Sequence, residues 1–115
     1  MMLWKTTMLR WTLVPVLSLL LGPGGALGAP FSPAHRAELR NLLIQDCGSC
    51  HGLTMRGGLG PALLPKNLAN RSREALIDTV MYGRPDTAMP PWNTMLKRDE
   101  AAWMIDQLRK GVNSK

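Results

Sequence analysis

Three segments of the chain carry apolar residues every three or four positions, the spacing of a helix that buries one face. The first runs from Pro33 toward Asp46, the second from Ser72 to Tyr82, and the third from about Arg98 to Lys110. Their apolar positions are, in order, Leu39, Leu42 and Leu43; Leu76, Ile77, Val80 and Met81; and Ala101, Met104, Ile105 and Leu108. No strand-rich segment is present, so the pattern predicts an all-α fold with three main helices.

Residues that start and stop helices agree with these limits. Ser32 is an N-cap ahead of a proline at the first helical position, and Gly83 is a stop signal after the second helix. The first helix is expected to end in a turn at Asp46-Cys47-Gly48. Lys97 is a poor N-cap, which leaves the start of the third helix open. The remaining segments are rich in glycine and proline and are predicted to be irregular: 52–65 and 83–94.

The N-terminal residues have the order of charge, apolar run and small residues that a secretory signal peptide has. Lys5 and Arg10 precede the apolar run Trp11–Leu21, and small residues follow. The run is too short and too soon interrupted to span a bilayer comfortably, which disfavours an uncleaved anchor. We therefore expect residues 1–28 to be a leader and residues 29–115 a single exported domain, periplasmic in a Gram-negative source and not held in the membrane.

Net charge and domain size limit the classes of function that the chain could have. The chain has 115 residues and a net charge of +6, and removal of the leader leaves twelve basic and eight acidic residues, or +4. This charge suits docking to an acidic partner, and there is no basic run with interleaved aromatic residues to indicate nucleic-acid binding. A domain of fewer than ~90 residues buries too little apolar surface to be stable without help, which favours a cofactor as part of the core.

The stretch Cys47-Gly48-Ser49-Cys50-His51 is the attachment signal for a c-type haem. Each thiol adds across one vinyl group of the porphyrin, and the adjacent histidine is delivered beneath the iron as the proximal ligand. A redox dithiol would need a βαβ context, and a zinc site would need a second ligand pair. A disulfide across so short a loop would be strained. The motif therefore predicts one covalent haem c held by Cys47 and Cys50, with His51 on the iron.

Three helices, a haem turn after the first and a methionine loop before the last resemble class I cytochrome c. The resemblance implies that the first and last helices cross and close a haem crevice. It also implies that a proline carbonyl in the loop after the haem motif accepts a hydrogen bond from the proximal histidine. Gly60-Pro61 matches that pattern, so Pro61 is the candidate acceptor, and a plain turn proline is the alternative.

Met89 is the candidate sixth ligand, because Gly83-Arg84-Pro85-Asp86-Thr87-Ala88-Met89-Pro90-Pro91-Trp92 resembles the methionine loop of that family. A thioether stabilises ferrous iron and suits an electron carrier. Met95 is the realistic rival, and His35 is expected to face solvent. The other rivals lie on predicted apolar helix faces or too close to the haem turn: Met81, Met104 and Met55.

The sequence suggests contacts for three further side chains without deciding them. Trp92 is expected to pack against the haem edge. Arg84 is a candidate partner for a haem propionate, with an exposed loop arginine as the alternative. Trp103 lies on the flank opposite the buried stripe of the last helix, where either a loop covers it or a partner contacts it.

The run from Asp46 to Gly111, with its Met-Pro-Pro-Trp loop, is similar to the small NirC-type (cytochrome c-55X) cytochromes of denitrifying bacteria. The resemblance implies a monomeric periplasmic electron carrier serving cytochrome cd1 nitrite reductase, or an accessory cytochrome in the maturation of haem d1. A haem-based sensor is the further alternative if the distal side of the iron is open. No nucleophile–base pair suggests catalysis by the protein itself, so we expect no enzyme activity.

Overall fold

The computed structural model describes residues 30–112, and every regular element among them is helical. The prediction of an all-α fold is confirmed. In the described part of the chain, no helix is both long enough and apolar enough to cross a membrane. The predicted leader, residues 1–28, lies outside the described residues.

The described chain contains five α-helices and one π-helical turn. In chain order they are α1 (Pro33–Leu42), the π-helical turn (Leu43–Cys47), α2 (Gly48–His51), α3 (Pro65–Leu68), α4 (Arg73–Tyr82) and α5 (Arg98–Lys110). Helices α1, α4 and α5 are the three main helices that the sequence predicts.

The first helix continues further than predicted. A turn at Asp46–Gly48 was expected, but the chain passes from α1 through the π-helical turn into α2 and stays helical to His51. Gly48 has right-handed helical angles, so it does not end the helix. The helical run ends at Gly52, whose φ of +87° favours glycine and whose missing side chain would lie 2.7 Å from the Gly57 carbonyl oxygen.

Helix α3 was not predicted. It is a single turn that begins with Pro65 at its first position, where the missing N–H costs no hydrogen bond. Only Leu68 of this turn is buried. One turn is too short to show a period, which is why the apolar pattern does not reveal it.

Helix α4 begins one residue later than predicted, with Ser72 as its N-cap, and α5 begins at Arg98, the start that the sequence left open. Their first turns explain both starts. The Ser72 hydroxyl accepts a hydrogen bond from the Ala75 amide at 3.1 Å. At the start of α5 the poor cap Lys97 is compensated by Glu100, whose carboxylate accepts from the Lys97 amide at 2.8 Å. The negative charge of Glu100 also lies at the positive end of the helix dipole.

The core forms where α5 meets the other helices, since α1, α3 and α4 all contact it. The buried apolar side chains are Leu39, Leu43, Met55, Leu68, Leu76, Ile77, Met81, Leu96, Ala101, Met104, Ile105, Leu108 and Val112. Ion pairs at the surface fix α4 against α5. Arg73 binds Asp106 through two nitrogens at 2.7 and 2.9 Å, and Arg98 lies 2.8 Å from Asp78.

His35, which was expected to face solvent, instead bridges the first and last helices. Its Nε2 lies 2.7 Å from Glu100 of α5, and its Nδ1 lies 3.2 Å from Glu38 of α1. Carboxylates only accept hydrogen bonds, so both contacts together require an imidazole that carries a proton on each nitrogen. The edge of the Phe31 ring packs on the imidazole, with the two ring centres 5.1 Å apart. The bridge between α1 and α5 is therefore complete only in the protonated state.

We predict that replacing His35 with glutamine lowers resistance to urea most at about pH 5.5 and least at about pH 9. The contacts with Glu100 and Glu38 raise the pKa of His35 above its ordinary value of 6.5. The added stability is therefore complete below that ordinary value and is lost as the pH rises through the folded-state pKa. Urea midpoints of both proteins across this range test the prediction. Arg36→Gln, on the same helix but outside the bridge, is the control. An equal effect of His35→Gln at every pH would contradict the bridge.

Candidate functional site

One cavity of about 550 Å³ brings together every site residue that the sequence predicts. These residues are Cys47, Cys50, His51, Pro61, Arg84, Met89 and Trp92. Apolar side chains from three helices and the π-helical turn supply much of the remaining wall: Leu43, Leu68, Leu76, Val80, Met104, Ile105 and Leu108. The volume lies within the range of cofactor pockets, about 300–1,000 Å³. The cavity is therefore large and apolar enough for a flat organic cofactor.

The two cysteines lie on the helical run that borders this cavity. Cys50 is exposed, Cys47 is half-buried, and no disulfide joins them. Burial, followed by the charge of Asp46, raises the pKa of the Cys47 thiol to about 11. A thiol that stays protonated at neutral pH is a poor zinc ligand and a poor redox nucleophile. In addition, the part of the chain that the structure describes contains no group of three or more side chains that could hold a metal ion by themselves.

The imidazole of His51 is fixed by the loop that follows it. Its Nδ1 lies 2.7 Å from the carbonyl oxygen of Pro61. Because a carbonyl can only accept, Nδ1 carries the proton and a neutral ring keeps its lone pair on Nε2. Gly60 packs directly on the ring, since a Cβ there would lie 2.9 Å from both Cε1 and Nδ1. The ring therefore has one orientation and one nitrogen available to bind iron.

Backbone hydrogen bonds hold this loop against the end of α2. The amide of Gly57 donates to the His51 carbonyl and that of Gly60 to the Cys50 carbonyl, both at 2.8 Å. These bonds satisfy carbonyl groups that the end of a helix leaves unpaired. The glycine content of residues 52–65 predicted a loop. Its close contact with the Cys-x-x-Cys-His motif depends on these backbone hydrogen bonds, which the spacing of residues in the sequence does not reveal.

Met89 reaches the same cavity from the loop that follows α4. Gly83 ends α4 with a φ of +70°, and a Cβ there would lie 2.6 Å from the Met89 carbonyl oxygen. The Arg84 amide donates to that same oxygen at 3.2 Å, and the Trp92 amide donates to Val80 at 3.0 Å. The loop is thus folded tightly back on the end of α4, with Met89 half-buried on the cavity.

Exposure and position distinguish Met89 from the other candidate methionines. Met95 is 69% exposed and does not line the cavity. Met55 and Met81 are buried in the core away from the cavity wall. Met104 does line the cavity, but it is 2% exposed and packed among the apolar residues of α5. Met89 is the loop methionine that the structure brings to the site.

Several polar residues at the cavity were not predicted from the sequence. Asn67, Arg71 and Thr79 line it together with Arg84. Arg71 directly precedes the N-cap of α4, a position that no pattern in the sequence singles out. Trp103, whose surroundings the sequence left open, is half-buried against the core and does not line the cavity.

Comparison with known proteins places this arrangement in a family. The family model described as cytochrome c oxidase, cbb3-type, subunit III matches residues 34–107. Cytochrome c55X of Pseudomonas aeruginosa is 57% identical over 66% of this chain, and the match spans 64% of that protein, slightly less than two thirds. Cytochrome c55X of Stutzerimonas stutzeri is 51% identical over 82% of each chain.

Solved structures give the same result for the fold. A c-type cytochrome NirC superposes with a TM-score of 0.68 at 52% identity, covering 70% of this chain and 94% of that one. The dihydro-heme d1 dehydrogenase NirN in complex with DHE gives a TM-score of 0.60 at 29% identity, covering 65% of this chain but 16% of that longer protein.

These matches confirm the class I cytochrome c fold and explain an apolar cavity bordered by a Cys-x-x-Cys-His motif. The chain belongs to the c-type cytochromes, within the cytochrome c55X or NirC-type group, and its cofactor is a covalently bound c-type haem.

Proposed function

We propose that this protein is a monohaem one-electron carrier of the periplasm, with thioether links at Cys47 and Cys50 and with His51 and Met89 as the axial ligands. The observation that carries the proposal is that Met89, from a loop 38 residues beyond His51, borders the same cavity as the Cys-x-x-Cys-His motif. The haem iron, when bound, takes up and releases one electron. A predicted leader at residues 1–28 and a monomeric domain at 29–115 complete the proposal.

The residues around the iron position suit an electron carrier. The hydrogen bond from Nδ1 to the Pro61 carbonyl orients His51 and makes Nε2 a stronger ligand for the iron. The thioether of Met89 favours the ferrous state and so raises the reduction potential. Two protein ligands would leave no coordination position for a substrate. A site of this kind exchanges electrons and has no independent enzyme activity.

The polar residues at the cavity suit the carboxylates of the haem. Arg84 and Arg71 border an otherwise apolar space, and each guanidinium offers paired donors to a propionate. Both side chains are exposed, so solvent weakens their contribution. Trp92 is half-buried at the same cavity, where it would pack against the haem.

A carrier must also let its partner approach the cofactor. Cys50 is exposed, and the neighbouring loop presents Leu59, which is 95% exposed, and Leu53, which is 59% exposed. Gly58 and Gly60 on either side of Leu59 pack against Cys50 and His51, so this apolar loop is fixed beside the haem attachment point. An apolar contact next to a cofactor edge suits a transient complex with a redox protein.

Two partners follow from the family. The resemblance to NirC-type cytochromes supports electron delivery to cytochrome cd1 nitrite reductase. The match to a domain of dihydro-heme d1 dehydrogenase supports a second role in the maturation of haem d1. The direction of electron transfer differs between the two roles. Nitrite reductase would oxidise the reduced carrier, whereas a dehydrogenase would pass the two electrons removed from its substrate to two molecules of oxidised carrier.

Stopped-flow mixing tests these roles. Reduced carrier mixed with oxidised cytochrome cd1 is expected to be oxidised rapidly, with a rate that falls as salt increases. The net positive charge of residues 29–115, +4 before the haem propionates are counted, steers docking to an acidic partner. Oxidised carrier mixed with the dehydrogenase and dihydro-haem d1 is the second arm. Fast reaction only in the second arm would establish the maturation role and overturn delivery to nitrite reductase.

We predict that Met89→Ala abolishes the weak far-red absorption band that methionine gives to ferric haem, lowers the reduction potential and allows carbon monoxide to bind ferrous haem. Met95→Ala is the matched control, since Met95 is exposed and does not line the cavity. Optical spectra and potentiometry of the three holoproteins check this. A wild-type protein that lacks the band and binds carbon monoxide would replace the carrier with a ligand-binding sensor.

We predict that Gly83→Ala weakens the far-red band, because a Cβ 2.6 Å from the Met89 carbonyl oxygen must displace the loop. Gly111→Ala is the control. Gly111 also ends a helix with positive φ, at +95°, but it follows α5 and does not lead into the methionine loop. Both variants are expected to lose stability, by about 1 kcal/mol or more, yet only Gly83→Ala should change the spectrum. An unchanged spectrum in Gly83→Ala would show that the loop accommodates the side chain elsewhere.

A further inference from the structure

We infer that the hydroxyl group of Thr87 is the positioning group that presents Met89 to the iron. The inference rests on the proposed ligation by Met89 and adds to it the residue that sets the ligand's position. Thr87 Oγ1 donates to the Arg84 carbonyl oxygen at 2.7 Å and accepts from the Met89 amide at 3.3 Å. The hydroxyl therefore both donates and accepts a hydrogen bond inside the methionine loop.

These two bonds cross the middle of a loop whose ends are already joined. The Arg84 amide donates to the Met89 carbonyl at 3.2 Å, and the Thr87 amide donates to the Arg84 carbonyl at 3.2 Å. The Thr87 hydroxyl links the same Arg84 carbonyl to the amide of Met89. It thereby fixes the peptide plane before Met89, which determines the direction in which the Met89 side chain leaves the backbone.

Fixing the backbone matters because a methionine side chain has three rotatable bonds and adapts to its surroundings. Pro85 and Pro90 restrict the loop on both sides of the turn, but neither has an N–H with which to orient Met89. Asp86 already has a φ of +61°, a conformation that non-glycine residues rarely adopt. The loop therefore depends on side-chain bonds to keep its shape.

Thr87 acts through this geometry and not through packing. The residue is exposed and does not line the haem cavity. Thr87→Val keeps the branched shape of the side chain and removes only the hydroxyl, so the core and the cavity wall keep their composition. Loss of the bonds should let the Met89 sulfur move away from the iron more often, which opens the distal position to a small ligand from solution.

The test is imidazole binding to the ferric holoprotein, in which imidazole competes with Met89. We expect Thr87→Val to raise the apparent imidazole affinity about tenfold, as expected for the loss of one or two hydrogen bonds. The far-red band should weaken, and the reduction potential should fall. Thr87→Ser keeps the hydroxyl and should restore all three values. Thr94→Val, at an exposed threonine outside the cavity lining, should leave them unchanged.

The outcomes separate this inference from the proposed ligation. If wild type shows the far-red band and Thr87→Val keeps wild-type imidazole affinity and potential, the positioning role is wrong while ligation by Met89 stands. If wild type lacks the band and Met89→Ala changes nothing, ligation by Met89 fails and the role of Thr87 fails with it. Urea midpoints of the variants are measured alongside. A fall in stability in Thr87→Val with unchanged imidazole affinity would assign the hydroxyl to general loop stability and overturn the inference.

Discussion

The structure depends on filling one apolar cavity. Leu43, Met104, Ile105 and Leu108 belong both to the core and to the cavity wall, so the core is complete only when the cavity is occupied. A domain this small has little other apolar surface with which to compensate, because small domains bury a small fraction of their surface. The haem is therefore part of the fold as well as the reactive group. Attachment through two cysteines makes this part of the core permanent, which explains why a small protein can be built around it.

Close approach of glycine backbone to neighbouring groups positions the residues around that cavity. Gly60 lets the loop lie against the His51 ring, and Gly83 lets the methionine loop fold back on the end of α4. In each case a single Cβ would occupy space that another group already fills. The same absence of a side chain brings the Pro61 carbonyl within 2.7 Å of His51. Helices supply His51 and much of the wall of the site, whereas tight loops supply Met89 and fix the orientation of the His51 ring.

The sequence predicts the features of the candidate site that depend on residue type, but not those that depend on contacts between residues distant in the chain. The haem motif, the three main helices and the Met89 loop have recognisable spacing, and the structure brings the predicted residues to one cavity. The extension of the first helix to His51 was missed, because its end is set by the contact between Gly52 and Gly57. Helix α3 is too short to show a period. The bridge from His35 to Glu100 joins residues 65 positions apart, and no local pattern predicts such a pair.

The two proposed axial ligands are held by different numbers of contacts, and this difference indicates where coordination can change. His51 follows a helical run, donates to Pro61, packs on Gly60 and is enclosed by a loop with several backbone bonds. Met89 is half-buried in a loop, and the structure gives its amide one partner, the Thr87 hydroxyl, at 3.3 Å. Any change in coordination should therefore begin on the methionine side. An electron carrier needs ligands that stay in place in both oxidation states, so the small set of bonds within residues 84–89 decides whether this site transfers electrons or opens to bind a ligand.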